Sequence, residues 1–367
     1  MKVLFLTTHL NAGGITSYLY TLSKGLMARG DEVCILSSGG NNVGQFTSMG
    51  VQHFSFDIKT KSELSPKLYF SLKPIVNIIK KHGIDILHAQ TRVTQVMGTL
   101  LQRKCSLPYV STCHGFFKPK LSRKMFPCWG DKVIAISPAV KDHLIEDFSV
   151  YADEIALVKN GIELNNFPLV EEQARAEGRK QKDITGSLVV GIIARLSDVK
   201  GHEVLIDAMA EVFREVPDAT LIIVGEGKME AALKERVASL GCEKQVRFFP
   251  TVNQTYEFLS LFDLFVMPSL QEGLGLSVME AQAAGLPVIA SKVGGLPSLI
   301  DDQKTGVLVE PQDRAGLTQA ILELSSQKDK AKQMGLQARD FINQECSAGK
   351  MSEQTSEVYR AVSGKHT

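Results

Sequence analysis

LFVMPSLQEGLGLSVMEAQAAGLPVIAS, Leu264–Ser291, contains a β-rich run, a glycine-rich loop, a helical stretch and a second β-rich run in unbroken succession. Strands joined through a helix are parallel neighbours, since antiparallel strands need only a short turn between them. The stretch has two charged residues, Glu272 and Glu280, eight apart in an otherwise apolar, small-residue segment.

The same alternation extends in both directions. Upstream lie LVVGIIARL, the amphipathic His202–Val216, ATLIIVGEG, Met229–Leu240, VRFFPTV and Thr255–Leu261; downstream lies TGVLVEP. A charged tail of helical character begins near Lys328. Further upstream, VLFLTT, Ile15–Arg29, EVCILSS, DILHAQ, YVSTCHG, KVIAIS and IALVKNG repeat the pattern. FPLVEEQARAEGRKQKDITGS separates the two series and has no strand character, so it is read as a linker. The expectation is an α/β chain with two successive Rossmann-like, doubly wound domains, residues 1–165 and 186–340, joined by a linker at 166–185 and followed by a C-terminal helix at 341–367. The ligand of such a chain belongs in a crevice outside the carboxyl ends of the strands.

Size and composition agree. With 367 residues the chain exceeds the ~250–300 at which single hydrophobic cores stop growing. It is 44% apolar and 22% charged, ordinary for a globular protein. No run reaches the ~18 apolar residues of a spanning helix. The start, MKVLFLTTHL, lacks a basic n-region and a small-residue cleavage site, and reads as a first strand. Six cysteines without CxxC spacing argue against a zinc site or a disulfide framework and for free thiols in a cytosolic protein. The net charge of +1 is uneven: residues 1–165 hold 19 Lys/Arg against 12 Asp/Glu, and the remainder hold 22 against 28. Either the first half faces an acidic partner or two solvated surfaces attract each other.

Several positions could carry chemistry. Gly13 and Gly14 fall between the first strand and first helix, which fits a tight turn or a close approach of phosphate to helix amides. There is no GxGxxG and no P-loop, which removes support for a hydride-transferring dinucleotide enzyme. Arg195 ends a strand and Lys200 precedes the next helix; the pair fits a diphosphate or a solvated loop. No DxD occurs, so a metal-bridged diphosphate is not supported, and no metal or cofactor is expected. His114 closes a strand and is followed by glycine, whereas His88 has a weaker claim and suits the core. Ser277-Val-Met-Glu280 fits a capping box. That explanation does not extend to Glu272, whose loop position suits a carboxylate accepting from sugar hydroxyls.

These motifs resemble the retaining nucleotide-sugar glycosyltransferases of the GT-B fold, family GT4, also called the group 1 glycosyltransferases. The resemblance covers nearly the whole chain in order: the AGG loop, HG after a strand, IAISPAVKDHL, VKNGIELNNF, ARLSDVKG, VGEGKMEAAL and EGLGLSVMEAQAAGLPVIAS with its E-x7-E spacing, then VGGLPSLI and TGVLVEP. It implies two domains facing each other across a cleft, with the C-terminal helix crossing back to the first. Arg195 and Lys200 would hold the donor diphosphate, so losing Arg195 would harm rate more than fold. Glu280 would accept from the ribose hydroxyls and Glu272 from the donor sugar. The amides of Gly273, Leu274, Gly275, Leu276 and Ser277 would meet phosphate and sugar. His114 would sit by the anomeric carbon, Gly13 and Gly14 would border the diphosphate, and the backbone around Val252 would contact the base.

This sequence departs from the family at Pro250 and Leu274, where glycine and phenylalanine are usual, and at Gln90, where many members have a second histidine. The implied reaction moves a hexose or N-acetylhexosamine from a nucleotide-diphosphate sugar, UDP by expectation, to a sugar or lipid-linked acceptor in bacterial envelope assembly. The nucleotide sugar is then a substrate rather than a cofactor, and no nucleic-acid partner is expected. Two basic and aromatic stretches, Gly115–Phe126 and Ser65–Gly83, fit either peripheral contact with an anionic membrane or ordinary solvated helices. The expected location is cytoplasmic, at the inner face of the membrane. Two other readings use the same fold: an epimerase or phosphorylase, told apart by product analysis with donor alone, and a non-catalytic nucleotide-sugar binder, which the retained cations and carboxylates oppose.

Overall fold

The computed structural model describes residues 1–60 and 65–364. They form two compact units, one of residues 1–161 with 348–367 and the other of residues 162–347.

In the first unit seven strands, β1 (Lys2–Leu6), β2 (Glu32–Ser37), β3 (Gln52–Ser55), β4 (Ile86–Ala89), β5 (Tyr109–Cys113), β6 (Lys132–Ala135) and β7 (Ile155–Leu157), form a parallel sheet in the order β3-β2-β1-β4-β5-β6-β7. The crossovers carry α1 (Gly14–Ala28), α2 (Val43–Ser48), α3 (Pro66–His82), α4 (Arg92–Cys105), α5 (Leu121–Met125) and α6 (Pro138–Phe148). Side chains alternate across a strand, so β1 serves both faces of the sheet. Val3 and Phe5 join one core with Leu19, Leu22 and Leu26 of α1, while Leu4 and Leu6 join the other with Leu72, Ile75 and Ile79 of α3.

The second unit begins with α7 (Glu172–Gln181) and has the sheet order β10-β9-β8-β11-β12-β13. These strands are β8 (Val189–Ile193), β9 (Thr220–Val224), β10 (Val246–Phe249), β11 (Leu264–Met267), β12 (Val288–Ser291) and β13 (Val307–Val309). Around them lie α8 (His202–Glu215), α9 (Glu230–Ser239), α10 (Tyr256–Leu259), α11 (Leu276–Ala283), α12 (Arg314–Ser326) and α13 (Lys328–Glu345). The last helix, α14 (Ala348–Ser363), belongs to the first unit, where Met351, Tyr359 and Val362 enter the same core as α1. The orders reverse at β1/β4 and at β8/β11, the switch points at which doubly wound sheets open for ligands.

Three boundaries differ from the sequence reading. The first unit ends at Gly161 rather than 165. The expected linker holds α7, which is fixed to the second unit: Arg175 and Arg179 pair with Asp263 at 3.4 and 2.8 Å, and the Arg179 Nε donates to the Leu261 carbonyl at 2.8 Å. Of the tail expected at 341–367, residues up to Ser347 remain with the second unit, and residues 365–367 lie outside the described residues. No helix among the described residues is long and apolar enough to cross a membrane.

Candidate active site

The loops after β8 and β11 are neighbours because their strands are paired. Arg195 follows β8 and is exposed, with no hydrogen bond or ion pair to the described residues. Lys200 closes the short 3-10 turn Asp198–Lys200. The next residue, Gly201, has φ 70°, and a Cβ there would lie 1.9 Å from the Pro268 carbonyl oxygen, so the close approach of the two loops requires glycine. The Leu270 amide donates to the Val199 carbonyl at 2.8 Å and completes the joint.

Across this joint, Lys200 Nζ meets Glu272 Oε2 at 2.5 Å, with side-chain exposures of 20% and 14%. Glu272 therefore has the protein partner that its loop position did not suggest. The pair does not close the site. An ammonium has three donors and a carboxylate about four lone-pair positions, so each keeps capacity for a further ligand. The Glu272 carbonyl accepts from the Gly295 amide at 3.0 Å, and a Cβ on Gly295 would fall 2.3 Å from the Gly273 carbonyl oxygen. The VGG turn thus supports the Glu272–Leu274 loop from behind. Leu274 itself is buried.

The capping box at Ser277 does not form. The α11 helix starts two residues earlier than that box requires, with Gly275 as N-cap at φ 105° and no side-chain cap, which places Ser277 inside the first turn. The first amides of α11 are consequently without a side-chain acceptor, an arrangement that attracts anions. Glu280 is half-buried in that helix, and burial pushes its carboxyl up to about 7, opposed by a hydrogen bond from Thr255. Val252 is half-buried in the loop between β10 and α10, a few residues before Thr255.

On the same two loops and the start of α8, the sequence reading missed several buried polar groups: Ser197 Oγ, Ser269 Oγ and both ring nitrogens of His202 find no hydrogen-bond partner among the described residues. Burial, and then the Lys200 charge, depress His202 to about 4, so its ring is neutral. The only local sign of it was its place after Lys200-Gly201.

In the first unit, Gly13 is the N-cap of α1 at φ 152° without a side-chain cap, and a Cβ on Gly13 or Gly14 would meet nothing within 4 Å. A side chain would therefore meet no obstacle at either position, and no side chain caps the helix start. His114 follows β5, and its Nε2 lies 2.8 Å from Gln90 Oε1. An amide oxygen only accepts, so Nε2 carries the proton, and Nδ1 keeps its lone pair while the ring is neutral. Burial holds His114 down at about 3, so that neutral state persists at physiological pH. Gln90, which departs from the family pattern, is thus the residue that sets the His114 tautomer. His88 is fully buried, in line with the core role anticipated for it.

Known proteins resemble this chain over both units. The family model described as "Glycosyl transferases group 1" matches residues 174–341, and "Glycosyltransferase Family 4" matches residues 12–166. A D-inositol 3-phosphate glycosyltransferase of Arthrobacter sp. (strain FB24) is 30% identical over 353 residues, 84% of this chain and 83% of the relative. The chain belongs to the group 1 glycosyltransferases, family GT4. Among other members, the D-inositol 3-phosphate glycosyltransferase of Corynebacterium diphtheriae is 27% identical, covering 89% of this chain and 85% of its own. Anabaena HepE, crystallised with UDP-glucose, superposes at TM-score 0.87 with 23% identity over 98% of this chain and 100% of its own. A glycosyltransferase from Rickettsia africae reaches the same TM-score at 23% identity, over 98% of both chains. The two parallel-sheet units are those of the GT-B fold, and the chain is an enzyme of the glycosyltransferase class.

Proposed function

We propose that this GT4 member transfers a hexose or N-acetylhexosamine from a UDP-sugar to a sugar or lipid-linked acceptor, with retention at the anomeric carbon. One observation carries the reading: the Arg195 guanidinium, without a partner among the described residues, lies on the loop that is hydrogen-bonded to the one opening α11, whose first amides have no side-chain cap. A cation and helix amides without a side-chain cap, on loops bonded to one another, suit a diphosphate. The UDP-glucose bound by Anabaena HepE supports a uridine nucleotide.

In this reading Arg195 and Lys200 stabilise the charge that grows on the leaving diphosphate, the step at which preorganised cations contribute most. Glu280 accepts from the ribose, and the remaining lone pairs of Glu272 accept from the sugar while Lys200 holds that carboxylate in place. The Gly13–Gly14 amides border the diphosphate, the backbone near Val252 meets the base, and His114 serves the reacting end. A phosphate oxygen takes the acceptor's proton, so no enzyme base is required and catalysis rests on positioning. The two cations replace a bridging metal, and no cofactor takes part.

Calorimetry with UDP and with UDP-sugars on the wild type and Glu272→Ala tests the assignment. The variant should lose more affinity for the sugar nucleotide than for UDP; equal losses for both would sink the sugar-reading role of Glu272.

Acceptor delivery is assigned to the first unit, at the inner face of a bacterial membrane during envelope assembly. From Lys118 to Pro127 almost every side chain is exposed, including Leu121 at 73%, Met125 at 64% and Phe126 at 65%, and no acidic residue occurs from His114 to Gly130. Apolar anchors interleaved with cations suit an anionic lipid surface. The protein should co-sediment with liposomes containing anionic lipid and remain in solution with neutral ones; sedimentation independent of lipid charge would remove the membrane role.

A further inference from the structure

We infer that Tyr359, on the C-terminal helix α14, is a positioning residue for His114, acting through a buried chain of side chains that also includes His88, Thr112 and Tyr18. The inference rests on the placement of His114 in the active site. The Tyr359 hydroxyl lies 2.6 Å from His88 Nδ1, His88 Nε2 lies 2.7 Å from Thr112 Oγ1, and Thr112 Oγ1 lies 3.3 Å from the Tyr18 hydroxyl. The Tyr18 ring stands edge-on to the His114 ring, with centroids 4.8 Å apart.

All four linking side chains are at most 2% exposed, in a core otherwise built of Val, Leu, Ile, Phe and Met. Apolar side chains of similar shape would pack there without desolvating any polar group, whereas a buried polar chain is stable only when every member is satisfied. Here the members satisfy one another. His88 is neutral, since burial depresses it to about 3. A neutral imidazole has one N–H and one lone pair, so Tyr359 and Thr112 cannot both donate to it or both accept from it. The proton orientation at Tyr359 therefore dictates that at Thr112, and through Thr112 it constrains the Tyr18 hydroxyl.

His114 is held from two sides, by Gln90 at Nε2 and by the Tyr18 ring edge. The first support is local to the strand ends. The second depends on α14 being docked with its hydroxyl in place, which couples the far end of the chain to the geometry of His114.

The test uses full-length protein with 15N-labelled histidine. The His114 imidazole resonance is assigned by its loss in His114→Gln. Tyr359→Phe keeps the ring that packs α14 and removes only the hydroxyl. It should shift the His114 resonance and lower kcat for UDP release from UDP-glucose by roughly tenfold, within what a small misplacement costs, while leaving UDP affinity within about twofold. In the His114→Gln background the same substitution should have no further effect on rate, since two residues acting through one contact are not additive. A folded Tyr359→Phe with an unmoved His114 resonance and wild-type kcat overturns the inference, as does full additivity with His114→Gln. If Tyr359→Phe does not fold, Thr112→Val breaks the same chain and is read by the same two measurements. Wild-type turnover by His114→Gln alone would instead overturn the placement of His114, and the inference with it.

Discussion

Glu272 and Glu280 look equivalent along the sequence and are not equivalent in the fold. Glu272 is paired with Lys200, while Glu280 is raised to about 7 by burial. Between the ordinary carboxyl value of 4.5 and about 7 the folded chain binds more protons at Glu280 than the unfolded chain does. Its contribution to stability is therefore greatest on the acid side, falls as pH rises through that window and is constant above it. Ligand binding has the opposite sign, because ribose hydroxyls donate to the ionised form. UDP affinity should increase from about pH 6 to about pH 8 in the wild type, and calorimetry should show that component missing in Glu280→Gln, which keeps only the titration of the nucleotide itself. Identical pH profiles for the two proteins would remove Glu280 from the ribose contact. At this scale the sequence was legible in placement within one loop: Arg195 follows β8 and Lys200 precedes Gly201 and α8, as read. It was not legible for the Lys200–Glu272 pair, because 72 residues separate the partners and no local pattern joins them. The Ser277-x-x-Glu280 pattern was present, but Gly275 tolerates φ 105° and started the helix first.

Among the elements, α7 was the hardest to foresee, since EQARAEGRKQ has no apolar stripe and none of its residues is buried. Its hold comes from Asp263, which accepts from Arg175 and from the Val189 amide at 2.7 Å, at the start of β8, and forms an ion pair with Arg179. One carboxylate thus fixes both the helix and the first strand of the second sheet. Asp263→Ala should leave an unsatisfied amide and two uncompensated guanidinium groups, lowering stability by about 2–4 kcal/mol. Thermal melting should show that loss, and proteolysis should show faster cleavage within 172–181. An unchanged melting temperature with an intact α7 would mean that backbone contacts hold the segment unaided. The strands were easier to read, because β1, β8, β11 and β12 are runs of apolar residues buried on both faces. The exception, β3, is short and only half-buried at the sheet edge, with too little apolar signal to stand out.

For the whole molecule, alternation of strands and helices was enough to indicate two doubly wound units, since that pattern has few topological solutions. The return of α14 to the first unit came from the family resemblance rather than from periodicity, and packing shows why it matters. Met351, Tyr359 and Val362 are each at most 1% exposed and pack in one core with Tyr18, Leu22 and Leu26 of α1. Side chains of this kind contribute roughly 1.5–3 kcal/mol each on burial, which for three of them approaches the whole stability of a typical domain, about 5–15 kcal/mol. Removing residues 348–367 should therefore unfold the first unit and leave the second folded, because none of these side chains belongs to the second. Scanning calorimetry should lose the transition of the first unit and keep that of the second. The retained unit carries Arg195, Lys200, Glu272 and Glu280, so the truncated chain should still bind UDP while losing transfer. Loss of UDP binding with the second unit still folded would show that the donor site depends on more than the residues assigned to it.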